Sequence, residues 1–196
     1  MKKVFDWTGY YKAHKERKAR ELLIRTFELF ERDKIDSGIA YDIGCGNGHE
    51  TLELLKRGWQ VKAVDNNENV YELMKEISNV YKDKLEFQIT SFENINWTKC
   101  DLINANFALP FCPKEHFELV WESIINSLNI NGRFSGQLFG ERDEWDLVRH
   151  TKDQALRRFD KMEIEFFDEI EKEDKTAIGE LKHWHLFDII ARKKVN

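Results

Sequence analysis

The sequence holds 196 residues with a formal net charge of −5, and 41% of the residues are hydrophobic and 13% aromatic. This length suits one domain, and the aromatic content excludes an intrinsically disordered chain. The negative charge argues against general adhesion to nucleic acid, and no apolar run approaches the roughly 20 residues of a membrane span. The first residues lack the apolar stretch of a secretory signal, so we expect a single cytoplasmic domain over 1–196 without membrane association.

The first 38 residues predict a helical segment ahead of the main fold. Apolar residues at steps of three and four predict an amphipathic helix over about Lys12–Arg32. We interpret the basic run Lys12–Arg20 as a solvated face of that helix in preference to the alternative, a patch that binds an anionic ligand. Trp7, Tyr10 and Tyr11 precede the predicted helix, where they can form a hydrophobic staple that anchors it.

From residue 39 onward, short apolar runs alternate with helical patterns. This alternation predicts a parallel sheet with helices on both faces. The predicted strands are Ile39–Ile43, Gln60–Val64, Leu85–Thr90, Asp101–Ala105 and Gly132–Phe139, and the predicted helices are His49–Arg57, Asn69–Val80, Glu115–Leu128 and Thr151–Phe159.

The chain closes with two further strand-like runs, Met162–Ile170 and Lys182–Arg192. The charged, turn-prone stretch Glu171–Thr176 lies after the first run and predicts the hinge of a hairpin. A hairpin there adds an antiparallel edge to the otherwise parallel sheet.

The segment Asp42–Gly48, DIGCGNG, carries the strongest functional signal. It follows a predicted strand and opens a predicted helix, which is the context that a glycine-rich ligand loop requires. A dinucleotide fold has glycines in the pattern G-x-G-x-x-G, whereas His49 stands at the position that would complete that pattern here. Asp65 ends the second predicted strand, where a carboxylate can accept hydrogen bonds from a ribose diol.

DIGCGNG followed by KAVD resembles the first motif and the second-strand acidic residue of class I S-adenosylmethionine (SAM)-dependent methyltransferases. The segments Phe139–Trp145 and Leu181–Lys193 resemble a small bacterial subgroup related to TehB-type tellurite-resistance methyltransferases. The resemblance implies a Rossmann-like fold with a mostly parallel seven-stranded sheet, helices on both faces and a C-terminal antiparallel hairpin. It also implies that residues 1–38 form a helical cap or lid on a SAM-binding core over residues 39–196.

The resemblance also implies a set of cofactor contacts. The glycines would pack under the methionine part of SAM, Asp42 would bind its amino group, and Asp65 would bind the ribose hydroxyls. Ser91 stands where the family more often has Asp, so the contact with the adenine edge is open. The candidate cofactor residues are Tyr11, Asp42, Gly44, Cys45, Gly46, Gly48, Asp65, Asn66, Ser91, Phe92, Asn104 and Ala105.

In this family the acceptor binds after the fourth strand. The run Asn106–Phe111 only superficially resembles the Asn-Pro-Pro-aromatic signature of enzymes that methylate adenine, so DNA is a minor possibility. In related enzymes a segment like the one around Trp7 folds over the cofactor as a lid, an alternative to the staple. The candidate substrate-pocket residues are Trp7, Asn106, Phe107, Phe111, Phe139 and Trp145, any of which could instead be core.

No catalytic residue can be assigned from the sequence. Methyl transfer from a sulfonium relies on alignment, and a general base is needed only where the acceptor must lose a proton. His49, His183 and His185 are weak candidates for such a base. The three cysteines form no C-x-x-C pair, and we expect reduced thiols and no metal site.

The leading hypothesis is a SAM-dependent methyltransferase that transfers a methyl group to a small molecule and releases S-adenosylhomocysteine. We expect a small-molecule acceptor, no nucleic-acid partner, and a monomer or homodimer. A non-catalytic SAM-binding sensor or partner protein is the first alternative. A nicotinamide-dependent oxidoreductase is the second, and the glycine spacing disfavours it.

Overall fold

An eight-stranded mixed sheet forms the centre of the computed structural model, which describes residues 5–14 and 17–194. The strands are β1 Ile39–Ile43, β2 Gln60–Asp65, β3 Leu85–Ile89, β4 Cys100–Ala105, β5 Leu128–Gly140, β6 Arg149–His150, β7 Met162–Lys175 and β8 Leu181–Lys193. Their order in the sheet is β3-β2-β1-β4-β5-β8-β7, and the two-residue β6 pairs with β5. Strands β1 to β6 pair in parallel, whereas β8 is antiparallel to both β5 and β7.

Helices cover both faces of the sheet, as the alternating pattern predicts. The helices are α1 Trp7–Ala13, α2 Glu21–Arg32, α3 His49–Lys56, α4 Tyr71–Val80, α5 Phe117–Ser127 and α6 Lys152–Arg157. One apolar cluster joins α2, α3 and α4 to sheet residues such as Ala40 and Val61, and the other joins α5 and α6 to sheet residues such as Ile103 and Phe134. The expected fold is confirmed, with β6 as a short additional strand too brief to leave a periodic signal.

The N-terminal prediction is wrong in one respect, because two helices replace the single helix expected over Lys12–Arg32. Trp7 lies inside α1 rather than ahead of a helix, and Arg20 has an extended backbone with ψ 147°. The backbone N–H of Arg20 donates to the carboxylate of Glu50 at 3.1 Å. The basic run is therefore not one solvated helix face, since its final part is tied to the core.

The hairpin exists, but its hinge lies later than predicted. Strand β7 continues through Glu171–Lys175, and the turn spans Thr176 to Glu180, with Gly179 at φ 87°. The charges of this stretch did not break the strand because they pair across the ladder. His183 Nδ1, for example, lies 2.6 Å from Glu173 Oε1.

The buried guanidinium of Arg133 connects the C-terminal hairpin to the end of α2. Arg133 on β5 is fully shielded from solvent and binds Glu165 with Nε at 2.6 Å, while its Nη2 also binds Asp33. Glu165 lies at a bulge, where β7 carries one residue more than its partner strand between Ile164 and Phe166. The bulge directs the Glu165 carboxylate towards Arg133.

No helix within the described ranges is long and apolar enough to cross a membrane.

We predict that Glu165→Ala lowers the free energy of unfolding by about 3 kcal/mol, because it removes a partner of a buried charge. Glu163→Ala is the matched control, since Glu163 lies on the same strand as Glu165, pairs with Arg192 of β8 and has a side chain that is 41% exposed. The control should change stability little, because exposed pairs are screened by solvent. Urea denaturation of both variants measures the difference, and equal stability would contradict the role of Arg133.

Candidate functional site

The glycine-rich loop joins β1 to α3 in a conformation that favours glycine. Gly44, Gly46 and Gly48 have φ of 68°, 48° and 70°. A Cβ on Gly44 would lie 2.7 Å from the Ala108 Cβ, and one on Gly48 would lie 2.8 Å from Ile77 Cδ1. Both the backbone angles and the close approaches therefore exclude larger side chains.

Asp65 lies beside the loop at the carboxyl end of β2. Its carboxylate accepts the backbone N–H groups of Gly46 and Asn67, each at 2.9 Å. Burial raises the pKa of Asp65, while these hydrogen bonds act in the opposite direction. The side chain thus holds the loop against the next strand and is 6% exposed.

A second buried carboxylate, Asp42, lies behind the loop in a polar network. It accepts from Thr51 Oγ1 at 2.5 Å and from Asn104 Nδ2 at 2.8 Å. Asn106 donates in turn to Asn104 Oδ1 at 2.5 Å. Burial, with a contribution from the nearby Glu50, raises the pKa of Asp42 to about 7. The Asn104 side chain thus points to Asp42 inside the fold.

The segment around α1 covers the loop. A Cβ on Gly46 would lie 3.1 Å from the Tyr11 ring, and Asn47 Nδ2 donates to the Tyr11 carbonyl at 2.8 Å. Burial and the neighbouring Asp65 raise the pKa of the Tyr11 hydroxyl. Helix α1 thus lies over the loop, and its roles as a lid or as a staple both stay predictions.

An ion pair fastens this segment to the first turn of α3. Arg17 donates both terminal nitrogens to Glu50, at 2.7 and 2.8 Å. Burial alone would raise the pKa of Glu50, but the hydrogen bonds from Arg17 hold it below its usual value. His49 Nε2 lies 2.6 Å from the His14 carbonyl oxygen, which adds a second tie.

The predicted substrate-pocket aromatics lie together beside the loop. We call them, with their two additional neighbours, the aromatic cluster. The ring centroids of Trp7 and Phe111 lie 4.9 Å apart, and those of Phe139 and Trp145 lie 6.3 Å apart. The cluster comprises Trp7, Phe107, Phe111, Phe139 and Trp145 together with Phe5 and Trp184, which sequence reasoning missed.

A buried ion pair lies behind the aromatic cluster. Lys182 and Asp143 are each almost fully buried and lie 2.5 Å apart between Nζ and Oδ2. The Lys182 ammonium lies 3.7 Å from the centroid of the Trp184 ring, and Asp143 accepts the backbone N–H of Trp145 at 3.0 Å. The pair therefore fixes two walls of the cluster.

The other predicted cofactor residues occupy the rim of the loop or the core. Ser91 precedes a short 3-10 turn, Phe92–Asn94, and its hydroxyl accepts from Asn94 Nδ2 at 2.9 Å. Asn66 follows Asp65 directly, Cys45 is buried in the glycine loop, and Ala105 is buried at the end of β4. The roles of these residues towards a cofactor stay predictions.

Two of the three candidate histidines lie away from the glycine loop. His183 pairs with Glu173 and Glu171 on the hairpin, and these carboxylates raise its pKa. His185 Nε2 lies 3.1 Å from Glu169 Oε1, on the same face of the hairpin as His183. Trp184, between the two histidines, lies on the opposite face and contacts the aromatic cluster. His49 remains near the loop, and burial lowers its pKa, which keeps it neutral at pH 7.

Sequence reasoning missed the charged residues that organise the site. Arg17 and Glu50 are 33 positions apart, and no local pattern links them. The clue available was the density of cations ahead of α2. Across residues 5–14 and 17–194, no group of three or more histidine, cysteine or acidic side chains could hold a metal ion.

Comparison with known proteins agrees with this geometry. Residues 40–132 match the family described as "Methyltransferase domain". Carboxy-S-adenosyl-L-methionine synthase from Histophilus somni (strain 2336) is 29% identical over 108 residues, which cover 52% of this chain and 45% of that protein. The chain thus spans about half the length of the curated relatives it matches.

Solved structures share the fold at low sequence identity. TehB from Haemophilus influenzae superposes with a TM-score of 0.78 at 16% identity, covering 94% of this chain and 66% of that one. The Burkholderia thailandensis 1,6-didemethyltoxoflavin-N1-methyltransferase, crystallised with its acceptor and S-adenosylhomocysteine, gives a TM-score of 0.71 at 15% identity and covers 96% and 85%. The expected resemblance to SAM-dependent methyltransferases is confirmed.

We predict that Glu50→Gln loosens the N-terminal segment, because the neutral amide no longer matches the charge of Arg17. Trypsin cleavage after Lys12 and Lys18 should become about tenfold faster, as the loss of a buried charged hydrogen bond implies. Glu53→Gln on the same helix is the control, since its partner Arg57 is partly exposed. Equal cleavage rates in the two variants would show that Glu50 does not hold the segment.

Proposed function

We propose, for a chain that carries a methyltransferase domain at residues 40–132, that it catalyses SAM-dependent methylation of a small molecule. The observation that carries this proposal is the joining of the glycine loop to Asp65 at 2.9 Å, at the carboxyl ends of adjacent parallel strands. Ligands of open α/β sheets bind at such strand ends. SAM supplies an activated methyl group that a lone pair of the acceptor displaces in line.

The residues at the loop fit this cofactor. The three atoms nearest to a Cβ on Gly46 all belong to the Tyr11 ring, so the loop backbone is open to close approach once that ring moves. Asp65 retains acceptor capacity for a diol, because each carboxylate oxygen has two lone pairs and uses one here. Asp42 lies close enough to the loop to favour a positive charge there. Tyr11 must shift for the ribose to reach Asp65.

The acceptor side of the site is the aromatic cluster. Its residues come from the segment after β4, the end of β5 and the loop that follows it, strand β8 and the N-terminal segment. Its rings are inclined to one another by up to 89° and offer apolar faces and edges. A didemethyltoxoflavin-bound neighbour shows the same fold with a small acceptor. Both points support a small molecule as the acceptor, whereas the net charge of −5 opposes a nucleic acid.

We place the protein in the cytoplasm, because its three cysteines are free and buried. Either a monomer or a homodimer fits the proposal.

The first test is calorimetric titration with S-adenosylhomocysteine. The wild-type protein should bind, and Asp65→Ala should lose about 10- to 100-fold in affinity through the loss of a buried acceptor. Asp83→Ala, which removes an exposed carboxylate, is the control. Thermal unfolding checks that both variants fold. An absence of binding to the wild type would overturn the proposed function, and unchanged affinity in Asp65→Ala would overturn the ribose contact.

A second prediction follows from the pKa of about 7 at Asp42. Below that pH the carboxyl is increasingly protonated, and a cationic ligand favours its ionised form. SAM affinity should therefore rise by about tenfold between pH 6 and pH 8, with one proton released on binding at the acidic end.

Asp42→Asn has no proton to release at this position and serves as the comparison. The rise in SAM affinity of about tenfold between pH 6 and pH 8 should be absent from this variant. Parallel pH profiles of the two proteins would show that Asp42 does not sense the charge of the cofactor.

A further inference from the structure

Arg20, immediately ahead of α2, places a guanidinium over the aromatic cluster. Its Cζ lies 4.3 Å from the centroid of the Phe107 ring. Phe107 in turn contacts Trp184 and Phe139, with centroids 6.0 and 6.3 Å away. Arg20 therefore lies on the acceptor side of the site, beyond β4, and not beside Asp65 on β2.

The hydrogen-bonding capacity of this guanidinium is largely unused within residues 5–14 and 17–194. Its side-chain contact there is a hydrogen bond from Nη2 to the Tyr10 hydroxyl at 3.3 Å. Its Nε is shielded from solvent and has no hydrogen-bond partner in those ranges. A guanidinium has five N–H donors, and a shielded donor without an acceptor is unfavourable.

The carboxylates nearby are already engaged with other groups. Glu50 is held by both terminal nitrogens of Arg17 and meets Arg20 only at its backbone N–H. Asp188 accepts from Gln137 Nε2 at 2.9 Å; burial raises its pKa, and the nearby positive charge of Arg20 acts against that rise without a hydrogen bond between the two side chains. Lys182, behind the rings, is matched by Asp143. These carboxylates thus leave N–H donors of the Arg20 guanidinium for an external anion.

We propose that Arg20 binds an anionic group of the methyl acceptor, so that the acceptor is a flat, largely apolar molecule bearing a carboxylate or a similar oxyanion. This inference rests on the proposed function and specifies the acceptor class. The rings of the cluster receive the flat body, and the planar guanidinium receives the anion in a two-point contact. Phe107 holds Arg20 in place by stacking.

The test compares benzoate with benzamide, a neutral probe of nearly the same shape. Protein saturated with S-adenosylhomocysteine is titrated with each probe by calorimetry or by NMR. The wild type should bind benzoate about tenfold more tightly than benzamide, the gain expected from a charged hydrogen bond. Arg20→Gln should lose this preference while keeping its affinity for S-adenosylhomocysteine.

Arg25→Gln is the matched control. Arg25 lies on α2, the helix that follows Arg20, and its Cζ lies at the same distance of 4.3 Å from the centroid of the Phe166 ring, outside the aromatic cluster. This variant should keep the preference for benzoate. It separates the effect of the Arg20 position from the general loss of one positive charge.

Three results would overturn the proposal. Benzoate and benzamide could bind equally well to the wild type, or benzoate could fail to bind at about 10 mM, the range of weak fragments. A tenfold loss of S-adenosylhomocysteine affinity in Arg20→Gln would assign the residue to the cofactor instead. Failure of the wild type to bind S-adenosylhomocysteine overturns the proposed function itself, so the two failures are distinct.

Discussion

The ion pair between Arg17 and Glu50 determines where the N-terminal segment lies, and the geometry of the site depends on it. With both terminal nitrogens of Arg17 on one carboxylate, the chain crosses the first turn of α3 at a fixed point. That crossing places Tyr11 against Gly46 on one side and Arg20 over Phe107 on the other. Such a pair is strong because it is bidentate and partly buried, whereas an exposed pair would contribute little.

Two buried carboxylates set the electrostatics under this segment. Asp65 is stabilised by backbone N–H groups, and Asp42 by a hydroxyl and an amide, so neither has a basic side chain as its partner in these contacts. Carboxylates held in this way retain a need for positive charge. Under the proposed function, the two carboxylates favour a cationic ligand at the loop, and the hydrogen bonds offset part of the cost of burying them.

Sequence reasoning predicted the features that depend on local pattern and failed where distant residues decide. The position of the glycine loop, that of Asp65 at the end of β2 and most strands follow from spacing and periodicity, and the observed fold has them there. The contacts of these residues with a cofactor stay predictions. The break ahead of α2 could not be predicted, because it depends on Glu50. The hinge of the hairpin was placed too early, because the pairing of Glu173 with His183 is visible only once the two strands are in register. The aromatic cluster was recognised in part, and Trp184 was missed since it comes from a strand that is distant in sequence.

Helix α1 contacts both halves of the site, since Tyr11 lies on the glycine loop and Trp7 lies on Phe111. Because one helix contacts both parts of the site, access to the two is coupled. Under the proposed function, departure of the spent nucleoside and entry of the next acceptor would then share a single opening event. The frequency of that event is then an upper limit on turnover, whatever the speed of the chemical step.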